Sequence, residues 1–149
     1  MNVRSIEPDD IPRCAELFAA AFAREPWREE WDLADATARL DEVYRTPGAY
    51  GLVAEENGEI CGFALGYIEH LNREQHFYLK EVAVAPEHQR EGVGAALMET
   101  LCRNLQGMGI TIVYLLTLRN SPAEAFYRKC GFHPSSQMIV MGRRLGVSP

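Results

Sequence analysis

Val82, Ala83, Val84, Ala85, Pro86, Glu87, His88, Gln89, Arg90, Glu91, Gly92, Val93 and Gly94 form the stretch that decides the fold. A strand-like run from Phe77 to Val84 ends at Pro86, crosses a polar turn and enters a helical pattern. In that pattern Val93, Leu97, Leu101 and Leu105 recur at i, i+4 spacing, with Gly107 and Gly109 as stops. A strand that feeds such a turn aims unpaired backbone N–H groups, and the positive end of a helix dipole, at one spot. An anion belongs there. Gly92 and Gly94 take away side chains that would hold a phosphate off the backbone. The spacing is not GxxxxGKS or GxxxxGKT, and Ala95, Ala96 and Leu97 after Gly94 break the GxGxxG fingerprint.

Outward from this turn the period changes twice. On the N-terminal side, Ala49 to Ala54 and Glu59 to Ile68 read as strands around the hairpin signal Glu56, Asn57, Gly58. Before them, Ile11, Cys14, Leu17, Phe18, Ala21 and Phe22 fall at helical spacing, ending before Pro26. A second helix runs from Ala34 to Tyr44, and Asn2 to Ile6 forms a short first strand. On the C-terminal side, Ile110 to Leu116 is a continuous apolar run, expected to be a strand covered on both faces. Ser121 to Cys130 is a short helix closed by Gly131, and Gln137 to Met141 a last strand. With no repeat or linker tract, one α/β domain over residues 1–149 is expected.

Composition narrows the function. The 149 residues are 47% hydrophobic and 24% charged, a globular balance. Fifteen Lys and Arg against twenty-one Asp and Glu leave a formal charge of −6, which argues against nucleic acid or an anionic membrane as partner. Cys14, Cys61, Cys102 and Cys130 are far apart, and His70, His76, His88 and His133 show no metal-ligand spacing, so no metal is expected. The first ten residues have no apolar run and no stretch approaches ~18 apolar residues, so a cytoplasmic protein is expected.

Gln89, Gly92 and Gly94 after the strand ending in Val82, Ala83 and Val84 resemble the Q/R-x-x-G-x-G/A motif of the GNAT N-acetyltransferase superfamily. Asn120, Ser121, Pro122, Ala123, Glu124, Ala125, Phe126, Tyr127, Arg128, Lys129, Cys130, Gly131 and Phe132 resemble that family's second acetyl-CoA segment. The resemblance implies a mixed, mostly antiparallel sheet of six to seven strands flanked by about four helices. Its fourth strand (Phe77 to Val84) and fifth (Ile110 to Leu116) would splay apart around the pantetheine arm of acetyl-CoA. Val82, Ala83 and Val84 would line that arm, with the backbones of Val82 and Val84 pairing with its amides as an added strand does. Gln89, Arg90, Glu91, Gly92, Val93, Gly94 and Ala95 would hold the pyrophosphate, while Asn120, Ala123 and Phe126 would contact the cofactor from the other wall.

Acetyl transfer needs a free amine lone pair, stabilisation of the oxyanion and a proton for the departing thiolate. An amine of pKa ~10.4 must lose a proton, while a thiol of pKa ~8.5 leaves with modest help. By the resemblance Tyr127 is the acid facing the sulfur, and a Val82 N–H the oxyanion donor. Glu81 is a carboxylate in a strand where charges are scarce, and so a candidate base. Strict alternation, however, puts Glu81 on the face opposite Tyr78 and Lys80, unless a bulge changes the parity. A structural ion pair with Lys80 or Arg90, and a water relay without a base, are the competing readings.

Trp27, Glu29, Glu30 and Trp31 lie where relatives place part of the acceptor pocket, and Trp27, Trp31, Tyr78 and Lys80 are the substrate-side candidates. Aromatic faces and carboxylates suit a cationic amine, although two packing tryptophans beside a solvated acidic face would look alike. The Pro26, Trp27, Trp31 spacing and the Phe77 to Glu81 strand resemble the aminoglycoside 6'-N-acetyltransferase-like branch. The expectation is an acetyl-CoA-dependent N-acetyltransferase for a small cationic amine, by direct attack in a ternary complex. Alternatives are a peptide or protein amine, a non-catalytic CoA-binding regulatory domain, or another acyl donor such as succinyl-CoA met by Lys80. Relatives are often dimers, so a homodimer is an open expectation.

Overall fold

The computed structural model describes residues 1–146. In chain order these form β1 (Asn2–Ser5), α1 (Ile11–Phe22), α2 (Leu33–Tyr44), β2 (Ala49–Glu56), β3 (Glu59–Leu71), β4 (Glu74–Val84), α3 (Val93–Gly107), β5 (Ile112–Tyr114) and α4 (Pro122–Lys129). The strands make one mixed sheet in the order β1, β2, β3, β4, β5. The first three pairings are antiparallel and β4–β5 is parallel.

Both faces of the sheet are covered, which accounts for the unbroken apolar run in its centre: β3 is buried from Ile60 to Leu65. Phe63 and Leu65 pack with Phe18 of α1 and Leu40 of α2, while Ala64 packs with Phe77, Leu79, Leu97 and Leu101 on the α3 side. The helices follow the same logic. In α2 the buried residues are Ala36, Leu40 and Val43, one stripe at helical spacing. The N-terminus is pinned by Arg4, which bonds Asp10 through Nη1 and Nη2, each at 2.9 Å, and Glu55 through Nε at 2.5 Å. Asp10 also accepts the Glu7 N–H at 2.7 Å, capping the turn into α1.

A β-bulge in β4 sets up the site. Leu65 pairs with Glu81 but the next residue, Gly66, pairs with Leu79, so Lys80 has no partner across the ladder. Before the bulge Phe77 and Leu79 face α3. After it Val82 and Val84 do so, and Ala83 faces α1 and α2. Glu81 therefore shares a face with Tyr78, contrary to strict alternation. Gly66 permits the close approach: a Cβ there would lie 2.1 Å from the Tyr78 carbonyl oxygen.

Two expectations are corrected. The run Ile110 to Leu116 is a strand only over Ile112–Tyr114, and it is not covered on both faces: Ile112 is 47% exposed and Leu116 59%. Val113 and Leu115 pack toward α3, but among the described residues β5 is an edge strand paired with β4 alone. Gln137 to Met141 is not a strand, since none of the described chain pairs with it, and the sheet has five strands among the described residues rather than six or seven. Apolar composition signals a wish for burial; a strand also needs a hydrogen-bonding partner. Among the described residues no helix is long and apolar enough to cross a membrane.

Candidate active site

Among the described residues β4 and β5 pair only from His76↔Ile112 to Tyr78↔Tyr114, and β4 then continues to Val84 bonded to β3 alone. The edge of β4 beyond Tyr78 is thus left open on the β5 side. A cavity of about 1750 Å³ fills the splay and extends from the turn before α3, past α4, to the segment after α1.

At one end of this cavity the backbone is shaped for an anion. Gly92 caps α3 with φ 85°, a left-handed conformation that a side chain would strain, and Arg90 is left-handed too at 68°. The first N–H groups of the 15-residue helix α3 have no partner within it and point into the space that Gln89, Arg90, Gly92, Val93, Gly94 and Ala95 line. Gln89 braces the turn by donating from Nε2 to the Val84 carbonyl at 3.2 Å. Gly94 has a second role, because a Cβ there would sit 3.0 Å from Cζ of Phe126. Its absence lets α4 close against α3. Glu91 does not line the cavity; it turns to His88, Nδ1 to Oε2 at 2.8 Å. That contact raises the pKa of His88, which does line the cavity, so the imidazole carries more positive charge beside the turn than an isolated one would.

The middle of the cavity is walled by Val82, Ala83 and Val84 of β4, by Ala123, Phe126 and Tyr127 of α4, and by Leu116, Thr117 and Leu118 after β5. Along this wall the open β4 edge offers backbone donors and acceptors unpaired among the described residues. Asn120 is not brought to this wall. It is exposed and left-handed at φ 59°, and its N–H donates to Glu124 Oε1 at 3.1 Å, so it belongs to the cap of α4 with Ser121. Ser121 Oγ accepts the Glu124 N–H and donates to the Leu118 carbonyl.

Glu81 and Tyr127 line the same cavity. The Glu81 side chain is 11% exposed, and Arg39 of α2 donates to its Oε1 from Nε at 2.9 Å. Burial raises the pKa of Glu81 and the Arg39 guanidinium pulls it back only in part, so the carboxyl sits above its usual range. The ion pair weighed as the alternative role of Glu81, with Lys80 or Arg90 as partner, is made with Arg39. A sign of Arg39 was present in its position on α2, three residues after Ala36 and four before Val43, at the margin of the buried stripe. The Tyr127 phenol is pushed well above its usual pKa, by burial first and then by Cys130 and Glu81, and stays protonated. Its ring is held edge-on by Phe126 at 5.1 Å and Phe132 at 5.7 Å.

On the acceptor side, Trp27 and Glu30 line the cavity with Lys80, and Trp27 packs on Phe22 at 5.2 Å. Trp31 and Tyr78 do not line it. Trp31 meets Phe18 edge-on at 4.9 Å in the α1–α2 core. Tyr78 is stacked on Tyr114 at 4.5 Å, packs near Tyr67 and carries Lys80 Nζ over its ring at 4.6 Å. Among the described residues no group of three His, Cys, Asp or Glu side chains is placed to hold a metal ion.

The sequence profile described as Acetyltransferase (GNAT) family matches residues 13–132. A mycothiol acetyltransferase of Pseudarthrobacter chlorophenolicus is 35% identical over 128 residues, 83% of this chain and 39% of that protein. The chain therefore spans about two fifths of the length of these relatives. The ribosomal protein bS18 alanine N-acetyltransferase of Escherichia coli is 27% identical over 91% of this chain and 82% of its own. An aminoglycoside acetyltransferase from an uncultured soil sample, solved with sisomicin, superposes with a TM-score of 0.74 at 19% identity, over 97% of this chain and 95% of that one.

Proposed function

The chain belongs to the acetyltransferase (GNAT) family, and from that premise we propose that it transfers the acetyl group of acetyl-CoA to a primary amine of a small cationic acceptor, by direct attack within a ternary complex. The observation that carries this reading is that Glu81 and Tyr127 line one cavity, beside the open edge of β4. The turn from Gln89 to Ala95 takes the pyrophosphate, and Val82 to Val84 hold the pantetheine along the β4 edge. A Val82 N–H meets the negative charge that develops on the thioester oxygen.

Glu81 acts as base. Its raised pKa brings it nearer to neutrality, where a carboxylate abstracts a proton more effectively. The acceptor's ammonium first gives one proton to solvent water, which frees the lone pair that attacks the thioester carbonyl, and Glu81 takes the second proton that the nitrogen sheds as the C–N bond forms. Tyr127 gives its phenolic proton to the sulfur as the C–S bond breaks. Trp27 and Glu30 receive the cationic acceptor by cation–π and ionic contact, with Glu81 adding negative charge at the reacting end. Trp31, Tyr78 and Asn120 are not part of this assignment, since they lie outside the cavity.

A second acceptor class is favoured by a separate observation. The relative from Escherichia coli named for a ribosomal protein alanine matches over most of both chains, so a peptide α-amine competes with small polyamines and aminoglycosides. A thiol-release assay with acetyl-CoA against these three classes tests both. Release with one class alone identifies the acceptor. Release with none, in a protein that binds acetyl-CoA, overturns the transferase reading in favour of a CoA-binding domain.

A further inference from the structure

The sequence holds fifteen Lys and Arg residues, of which two, Lys80 and Lys129, are lysines. Both line the cavity. Lysine is the residue that acetylation modifies, whereas arginine stays protonated and is not an acceptor of this kind. The side-chain primary amines of the chain are thus confined to the space where an amine is to react.

The two are placed differently. Lys129 lies in the last turn of α4, three residues beyond Phe126, whose ring sits against Gly94 at the phosphate end of the cavity. Lys80 is the bulge residue of β4, without a partner across the ladder, immediately before Glu81 and two residues before Val82. Its Nζ rests over the Tyr78 ring, 4.6 Å from the centroid. Among the described residues Lys80 makes no ion pair. A cation over a partly solvated ring is held weakly, so the four-carbon stem is free to turn toward Val82. Two residues of strand span roughly 6.6 Å, a distance that an extended lysine side chain bridges.

We propose that Lys80 is a self-acetylation site: with acetyl-CoA bound and no acceptor amine present, Lys80 Nζ takes the acetyl group within its own cavity. The inference rests on the acyl-transfer reading above. The Nζ ammonium gives one proton to solvent water, the freed lone pair forms a C–N bond to the thioester carbonyl carbon, and Glu81 takes the second proton. The C–S bond breaks, Tyr127 protonates the sulfur, and CoA leaves as the free thiol. The product is a neutral amide, which removes one positive charge from the cavity wall beside Glu81 and so favours a cationic acceptor.

The native chain, incubated with acetyl-CoA and no amine, is expected to gain the mass of one acetyl group. Peptide mapping should place it on Lys80 and not on Lys129 or the Met1 amine. The rate per chain should not depend on protein concentration, since the reaction stays within one cavity; a rate that rises with it would mean transfer between chains and overturn the proposal. Lys80→Arg keeps the charge and should lose the modification, while Glu81→Gln should slow it by roughly 100-fold, as loss of a general base does. An unmodified Lys80 in a chain that releases thiol with an added amine overturns this inference and leaves the acyl-transfer reading standing. An unmodified Lys80 in a chain that releases thiol with no amine removes both. Acetyl groups spread over Lys80, Lys129 and Met1 at one rate, unaltered by Glu81→Gln, would mark reaction with the thioester in solution and overturn the inference as well.

Discussion

Lys80 is one residue more than β3 can pair with, and that single insertion turns Glu81 toward α2. There Arg39 meets it, and the balance between burial and this ion pair decides how easily the carboxyl takes a proton. Since the folded pKa of Glu81 lies above the ordinary carboxylate value, the rate should fall as pH drops through that raised value. Glu81→Gln is expected to abolish the acid limb and lower kcat by roughly 100-fold or more, as loss of a general base does. Arg39→Ala removes the group that pulls the pKa down, so the limb should move to higher pH while Glu81 remains in place. A pH–rate profile of both variants checks this, and an unmoved limb in Arg39→Ala would show that another group titrates. Tyr127→Phe should reduce kcat by about 100-fold with the KM for acetyl-CoA little altered, because a proton delivered to sulfur matters as the C–S bond breaks. Glu81 and Tyr127 were both legible as residue types in the sequence. The face on which Glu81 sits was not, since a bulge leaves no mark in a pattern of alternating residues.

The two glycines after the β4 turn do different work, although they read alike in the motif. Gly92 holds a left-handed conformation with open space where a Cβ would be, whereas Gly94 leaves room for the ring of Phe126. Gly92→Ala should cost about 1–2 kcal/mol of stability through backbone strain alone. Gly92→Leu should also weaken acetyl-CoA binding more than tenfold, because its side chain would project where the pyrophosphate must approach. Gly94→Val should weaken binding by another route, by forcing Phe126 and α4 away from α3. Thermal unfolding and calorimetric titration of the three variants separate these effects, and equal affinities throughout would refute the pyrophosphate assignment. Helices were the most legible elements, because one buried stripe every 3.6 residues has few alternative explanations. β5 was the least, since Ile110 to Leu116 is apolar throughout whether a strand lies inside a sheet or at its rim.

At the scale of the molecule, two cores grip one sheet, and a partly buried charge cluster of Arg4, Asp10 and Glu55 ties β1 to the turn before α1 and to β2. Asp10 is 8% exposed, and the Arg4 guanidinium beside it holds its carboxyl below the usual range. A carboxyl whose folded pKa is depressed contributes stability at pH above about 3.8 that is lost as pH falls through the folded value. Asp10→Asn should therefore lower stability by about 2–3 kcal/mol at neutral pH and much less under acid conditions, leaving Arg4 short of a partner. Urea unfolding at neutral and acid pH measures both. The cleft was expected from the resemblance that two motifs, one helix and one strand apart, bear to the family, and the structure sets the turn before α3 and α4 along one cavity. Arg39 was not, since it comes from α2 and only the fold brings it to Glu81; of the acceptor-side residues named from the sequence, Trp27, Glu30 and Lys80 line the cavity, while Trp31 and Tyr78 lie outside it. The central claim is that the splay between β4 and β5 is an acetyl-CoA site. Calorimetric titration of the native chain with acetyl-CoA tests it most directly: the account predicts saturable binding with one site per chain, and absence of binding would contradict it.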